Sequence, residues 1–208
     1  MNAMEKIDQV STTFYPPDAF GYPLTALIYD EGFDIGAIFQ AIATRATKAG
    51  LRLGGVIEKP VAPAAPGRRC DMVLQDLASG QTVKISEERG ALARGCRLDL
   101  DGLARTSALV LSSLPHCDLV LLNKFGKTES EGGGFRCIIS DALALETPVI
   151  IGVPRRNLEA WRTFAGDFGV EAISRLDDKG EIVFQKLDTK LDADEAVAKI
   201  EALSPPRR

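Results

Sequence analysis

LLNKFGKTESEGGG, residues 121–134, decides how the chain is read. Leu119, Val120, Leu121 and Leu122 lead into it and read as a buried strand. A polar loop follows, then three glycines, then a stretch with helical character. Strand, glycine-rich turn and helix form the repeating unit of a parallel α/β sheet. In a strand that ends at a nucleotide-hydrolysis site, the C-terminal end carries an aspartate for the metal and then a glutamate for the attacking water. Here those two places hold Asn123 and Lys124. An amide binds Mg²⁺ less strongly than a carboxylate, and a protonated lysine cannot act as a base. The stretch points to a nucleotide-binding architecture and away from efficient hydrolysis.

The same rhythm recurs on both sides. Residues 24–29 read as a strand, DEGFDIG as its loop, and 35–49 as a helix. Ile35, Ile38, Phe39 and Ile42 recur there at helical spacing, and Gly50 supplies the stop. A second strand at 51–57 completes a βαβ unit, whose crossover is right-handed. Residues 60–67 read as a Pro- and Ala-rich loop, and 71–77 with 82–85 as a hairpin about Ser79-Gly80. Residues 97–100 read as a short extended piece, with Asp101 as N-cap of a helix to about 114. Further strands are expected at 118–122, 148–153, 170–174 and 181–185, the last two joined by a turn at 178–180. Further helices are expected at 134–145, 157–168 and 192–203. The fold expected is an α/β three-layer sandwich with a mostly parallel sheet and a small β-hairpin insertion. Residues 1–23 read as an irregular arm, 24–203 as a single domain and 204–208 as a frayed tail.

Composition narrows the function classes. The chain has 208 residues, is 45% hydrophobic and carries a formal charge of -4, which argues against a general nucleic-acid surface. No apolar run is long enough to span a membrane and no signal peptide is evident, so the expected location is cytoplasmic. Cys70, Cys96, Cys117 and Cys137 lie far apart and read as free thiols. His116 follows Pro115 and reads as a surface or turn residue. A nucleophilic Cys96 would have only this histidine as an imidazole base.

The loop after the first strand is the place for a phosphate. A full P-loop reads G-x-x-x-x-G-K-[ST]. Gly36 matches the glycine before the lysine, Ala37 and Ile38 stand in the Lys and Ser/Thr places, and Glu31 takes that of the first glycine. Losing the lysine contact alone costs about ten- to a hundredfold in affinity. Asp30, Glu31 and Asp34 set three carboxylates where an anion would be cradled. They suit a divalent cation, held by Asp30 and Asp34, or a ligand with a positive group; an ordinary acidic turn is the alternative.

The layout resembles the nucleoside-triphosphatase family first described from thermophiles, a P-loop α/β family. That family has a GG-containing second strand, a hairpin, and an aspartate strand followed by a signature like E-I-G-K-M-E. Gly54-Gly55, the hairpin about Ser79-Gly80, and Gly126, Lys127 and Glu129 match it over residues 24–153; Ala37, Ile38, Asn123 and Lys124 depart. The chain is still closer to an uncharacterised bacterial family with the blocks GCRLD and N-x-F-G-x-x-E. Some members of that family are described as nucleoside-triphosphatase-like or as molybdenum-transport ATP-binding proteins. The resemblance implies a P-loop-like fold, with molybdenum metabolism as context.

The candidate ligand-binding residues are therefore Asp30, Glu31, Asp34, Gly36, Arg97, Asp99, Asn123, Lys124, Gly126, Lys127, Glu129, Gly133 and Arg136. Lys124, Lys127 and Arg136 read as a cationic rim facing the acidic loop. Arg136 suits either a bound anion or a salt bridge to Glu129 or Glu131. Arg97 and Asp99 suit a ligand clamp or a structural ion pair, and Arg155, Arg156 and Trp161 read as a solvated helix start. Glu129 and Lys124 are the candidate catalytic residues. One reading is a degenerate P-loop protein, a sensor or adaptor that binds a nucleotide, with or without Mg²⁺, or an oxyanion, with little or no hydrolysis. The alternative is an active nucleoside triphosphatase with a non-standard site. A structural interaction domain is the third, and a homodimer or a protein partner stays open.

Overall fold

The computed structural model describes residues 23–61, 71–87, 98–166, 168–176 and 182–186. Its strands are β1 (Leu24–Tyr29), β2 (Leu53–Glu58), β3 (Val73–Asp76), β4 (Thr82–Lys84), β5 (Leu119–Leu122), β6 (Val149–Pro154), β7 (Val170–Leu176) and β8 (Ile182–Lys186). The helices are α1 (Ile35–Lys48), α2 (Leu100–Ser113), α3 (Lys127–Ser130), α4 (Arg136–Ala144) and α5 (Leu158–Ala165). The strands make one sheet in the order β4-β3-β2-β5-β6-β1-β7-β8. From β2 to β7 every neighbouring pair is parallel. The β3–β4 hairpin adds to β2 antiparallel, and β8 turns back on β7.

The order places the helices. The connection from β1 reaches β2 in one direction, whereas β5 to β6 and β6 to β7 step in the other. Right-handed crossovers in opposite directions put their helices on opposite faces. On one face Ile38, Phe39 and Ile42 of α1 pack on Leu27, Leu121 and Ile150. On the other, Val110 of α2, Ile138 of α4 and Trp161 of α5 pack on Val120, Leu122 and Ile151. Alternate residues of β5 serve the two cores, as a strand covered on both faces requires. This is the three-layer sandwich the sequence predicts, with the hairpin at its edge.

Two local features explain particular residues. Gly55 has φ +90, and a Cβ there would lie 2.0 Å from the Leu121 carbonyl oxygen. Only glycine lets β2 run so close to β5. At the opposite end of the same strands, Arg52 pairs with Asp118 through Nε at 2.9 Å and a terminal guanidinium nitrogen at 2.6 Å. The bonds from Arg52 hold the Asp118 carboxyl down at about 2.

Several expectations shift. The N-cap expected at Asp101 lies two residues earlier, at Asp99, which accepts from Gly102 N at 3.0 Å, so the helix begins at Leu100. Asp101 instead lies in the first turn. The short α3 falls inside what reads as pure loop. The helix expected to reach 168 ends at Ala165, where the chain turns at Gly166. The other described elements keep their type, with ends moved by a residue or two. The N-terminal arm apart from Pro23, most of the 60–67 loop, Cys70, Cys96, Arg97, the 178–180 turn, the 192–203 helix and the tail lie outside the described residues.

Candidate functional site

Where the connections of neighbouring strands part to opposite faces, an open α/β sheet leaves a crevice at its C-terminal edge. Here the ends of β1, β2, β5 and β6 enclose a cleft of about 300 Å³. Tyr29 through Phe33 line it from the end of β1 and the following loop, with Ile35 at the start of α1. Glu58 closes it from β2, Asn123 and Lys124 from β5, and Pro154 and Arg156 from β6.

The β5 end is fixed from both sides. Asn123 N donates to Val56 O at 3.0 Å and Phe125 N to Gly152 O at 2.7 Å. Phe125 is fully buried against Trp161 and Phe164, with ring centroids 5.4 and 5.7 Å away. Asn157 Nδ2 donates to Phe125 O at 2.7 Å. These contacts hold Asn123 and Lys124 at the cleft. Asn123 is 5% exposed; its Nδ2 donates to Glu58 Oε2 at 3.3 Å, and its Oδ1 is buried without a hydrogen-bond partner. Lys124 is exposed. Trp161 is core, not part of a solvated helix start.

The acidic loop is answered from β6. Arg155 donates to Asp30 at 3.2 Å and Arg156 to Glu31. Asp34 does different work: its Oδ1 accepts from Ala37 N at 3.0 Å and caps α1. A carboxylate thus already sits on the helix N-terminus, where a P-loop would receive phosphate. Gly36 lies within the first turn of α1 beside that carboxylate. Burial pushes the Tyr29 phenol up to about 12; Arg156 works against this and Glu58 adds to it, so the cleft holds a neutral phenol.

The signature loop closes on itself rather than on the cleft. Glu129 is 4% exposed; its two oxygens accept from Gly126 N at 2.8 Å and Phe135 N at 3.0 Å. Gly134 has φ +60, and a Cβ there would lie 1.9 Å from Glu129 Oε1. Arg136 donates to the Glu129 and Ser130 carbonyl oxygens at the end of α3 and lies over the Phe164 ring, 4.6 Å from its centroid. Neither anion nor carboxylate is needed to explain it. Lys127 pairs with Glu131 at 3.6 Å on an exposed face, and Gly133 packs near Thr128. Lys127 and Arg136 therefore do not join Lys124 at the cleft, and the cations bonded to the acidic loop are Arg155 and Arg156. Asp99 caps α2 and meets Arg105 at 3.6 Å.

Of the predicted ligand residues, the cleft brings together Asp30, Glu31, Asn123 and Lys124. Asp34, Gly36, Asp99, Gly126, Lys127, Glu129, Gly133 and Arg136 do not line it. Sequence reasoning missed Tyr29 and Glu58; their one signal was their position as the last residues of parallel strands. Among the described residues, no group of three or more His, Cys, Asp and Glu is placed to hold a metal ion. No helix among them is long and apolar enough to cross a membrane. His116 is exposed in a turn, and Cys117 and Cys137 are free thiols.

The sheet order and the cleft define a P-loop NTPase-like α/β sandwich. A solved structure of the same fold, described as a human cancer-related nucleoside triphosphatase, aligns with a TM-score of 0.50 and 15% identity, covering 88% of this chain and 99% of that one. A second, THEP1 from Aquifex aeolicus, aligns with a TM-score of 0.43 and 15% identity over 71% of this chain and 88% of that one. The chain belongs to the family described as Protein of unknown function (DUF2478), which matches residues 24–178. It is also 33% identical over 149 residues to a protein of Bradyrhizobium diazoefficiens named Molybdenum import ATP-binding protein ModC 2. That match covers 70% of this chain and 16% of the relative's length.

Proposed function

We propose that the protein binds a small ligand, a nucleotide or an oxyanion, in the cleft at the C-terminal edge of the sheet, with little or no hydrolysis. It acts as a sensor or adaptor that passes occupancy on to a partner. The observation that carries this reading is the Asp34 cap. Its carboxylate accepts from Ala37 N in the first turn of α1, so a negative charge already sits at the helix N-terminus, and neither Ala37 nor Ile38 offers a side chain to phosphate or metal. Two further features support it. Asn123 and Lys124 stand where a metal ligand and a base would be. Both oxygens of Glu129 are committed to backbone amides, which makes that residue a staple of the loop rather than a base.

The named relative makes molybdate the first oxyanion to try. Thermal-shift measurements with ATP, GTP and molybdate, each with and without Mg²⁺, test binding, and phosphate release tests turnover. A ligand-dependent shift without release is the expected pair of results. Steady Mg²⁺-dependent release would favour an active triphosphatase with a non-standard site. No shift with any ligand would favour an interaction domain.

A further inference from the structure

The polar groups of the cleft that are not already satisfied define what a ligand must carry. Asp30 and Glu31 are answered by Arg155 and Arg156. Glu58, Asn123 and Lys124 remain. Glu58 is exposed and gives one carboxylate oxygen to Asn123, its sole hydrogen bond among the described residues. Asn123, almost wholly buried, has an amide oxygen that no donor meets. Lys124 makes no ion pair among the described residues, so it and Glu58 share one cleft with opposite charges and are not bonded to each other. Tyr29 and Phe33 add aromatic surface beside them, their ring centroids 6.5 Å apart and tilted by 40°.

Three ligand chemistries can be compared against this set. A bare phosphate gains Lys124 but meets the Glu58 carboxylate. A simple ammonium gains Glu58 but meets Lys124. A planar edge with adjacent N–H donors and a carbonyl meets both: the donors face the Glu58 carboxylate, and the carbonyl accepts from Lys124. The ring face then lies on Tyr29 and Phe33. We propose that the cleft binds a heterocycle with a 2-amino-4-oxopyrimidine edge, the edge shared by guanine and pterin. The inference rests on the reading of the cleft as a ligand site and names the part of the ligand that enters it. A volume of about 300 Å³ lies at the small end for ligand pockets, which suits a ring system rather than a whole dinucleotide.

Isothermal titration of the full chain with guanosine and with pterin tests this, with inosine, adenosine, inorganic phosphate and molybdate as comparators. Guanosine or pterin should bind, and whichever binds more tightly names the source of the edge. Inosine, which lacks the 2-amino group, should bind about tenfold or more weakly, and adenosine more weakly still. Glu58→Gln should lower affinity by about ten- to a hundredfold, and Lys124→Ala should weaken it too, both with an unchanged circular dichroism spectrum. Equal affinity for guanosine and adenosine, or full affinity in Glu58→Gln, overturns the inference. Binding of phosphate or molybdate but of neither heterocycle also overturns it and leaves the proposed function standing. Silence from every probe, ATP and GTP included, removes both.

Discussion

Replacing Asp34 with alanine probes the point where this chain departs from a phosphate-binding loop. The substitution removes one bond, from Ala37 N to Asp34 Oδ1 at 3.0 Å, and frees the N-terminus of α1. Loss of an N-cap typically costs about 1 kcal/mol. The helix should survive, because Ile38, Phe39 and Ile42 are buried to within 1% and each contributes about 1.5–3 kcal/mol. For a domain of this size the melting temperature should fall by about 2–4 °C. The freed amide and helix dipole then become available to an anion. Asp30 and Glu31 repel it only partly, since Arg155 and Arg156 answer their charge. Inorganic phosphate at about ten times its Kd would restore about 1.4 kcal/mol. Scanning calorimetry of wild type, Asp34→Ala and Asp34→Asn in phosphate, with chloride at matched ionic strength, reads this directly. Wild type and the asparagine variant, which keeps a capping side chain, should respond little, and the alanine variant should regain its loss. An unchanged melting temperature in Asp34→Ala, or an equal phosphate response in wild type, would refute the assignment of that carboxylate as a phosphate substitute.

The remaining expectations concern what holds the fold. Gly134→Ala should cost about 3–5 kcal/mol in urea unfolding, since a left-handed φ and the loss of the Glu129 bonds act together, whereas Gly132→Ala, with nothing near its Cβ, should cost only about 1–2 kcal/mol; equal losses would remove the staple. Glu129→Gln should destabilise the protein by about 1–3 kcal/mol without any ligand, because an amide NH₂ would face a backbone N–H. Activity lost in that variant would therefore say nothing about a base. Asp118, held down at about 2 by Arg52, contributes stability that is present above about pH 4 and lost as pH falls through about 2. Asp118→Asn should be less stable than wild type at neutral pH, and the difference should shrink steadily as pH falls from about 4 through about 2, as read by urea midpoints across that range.

Much of the fold is legible in short-range pattern. The helical spacing of Ile35, Ile38, Phe39 and Ile42, and the run from Leu119 to Leu122, belong to elements that bury whole faces, so periodicity alone finds them. Caps are harder. The sequence reading sets the cap at Asp101 whereas the structure sets it at Asp99, and the backbone bridge between Ser86 and Leu98 just before the helix accompanies that start. The site was legible only in part. Asn123, Lys124, Asp30 and Glu31 announce themselves through the strands they follow. The pairing of Asp30 and Glu31 with Arg155 and Arg156 joins residues 125 apart, and the Asn123–Glu58 bond joins residues 65 apart. No local spacing encodes such contacts; only the strand order β2-β5-β6-β1 creates them. Glu129 shows the same limit, since a glutamate after a glycine reads equally as a base or as a staple until the loop closes around it.

Phosphate release from ATP and from GTP, with Mg²⁺, by the full chain tests the central claim most directly. On the proposed reading, with the Asp34 carboxylate at the N-terminus of α1 and β5 followed by Asn123 and Lys124, the chain should release little or none above the protein-free control. Sustained release that disappears in Lys124→Ala would contradict the account.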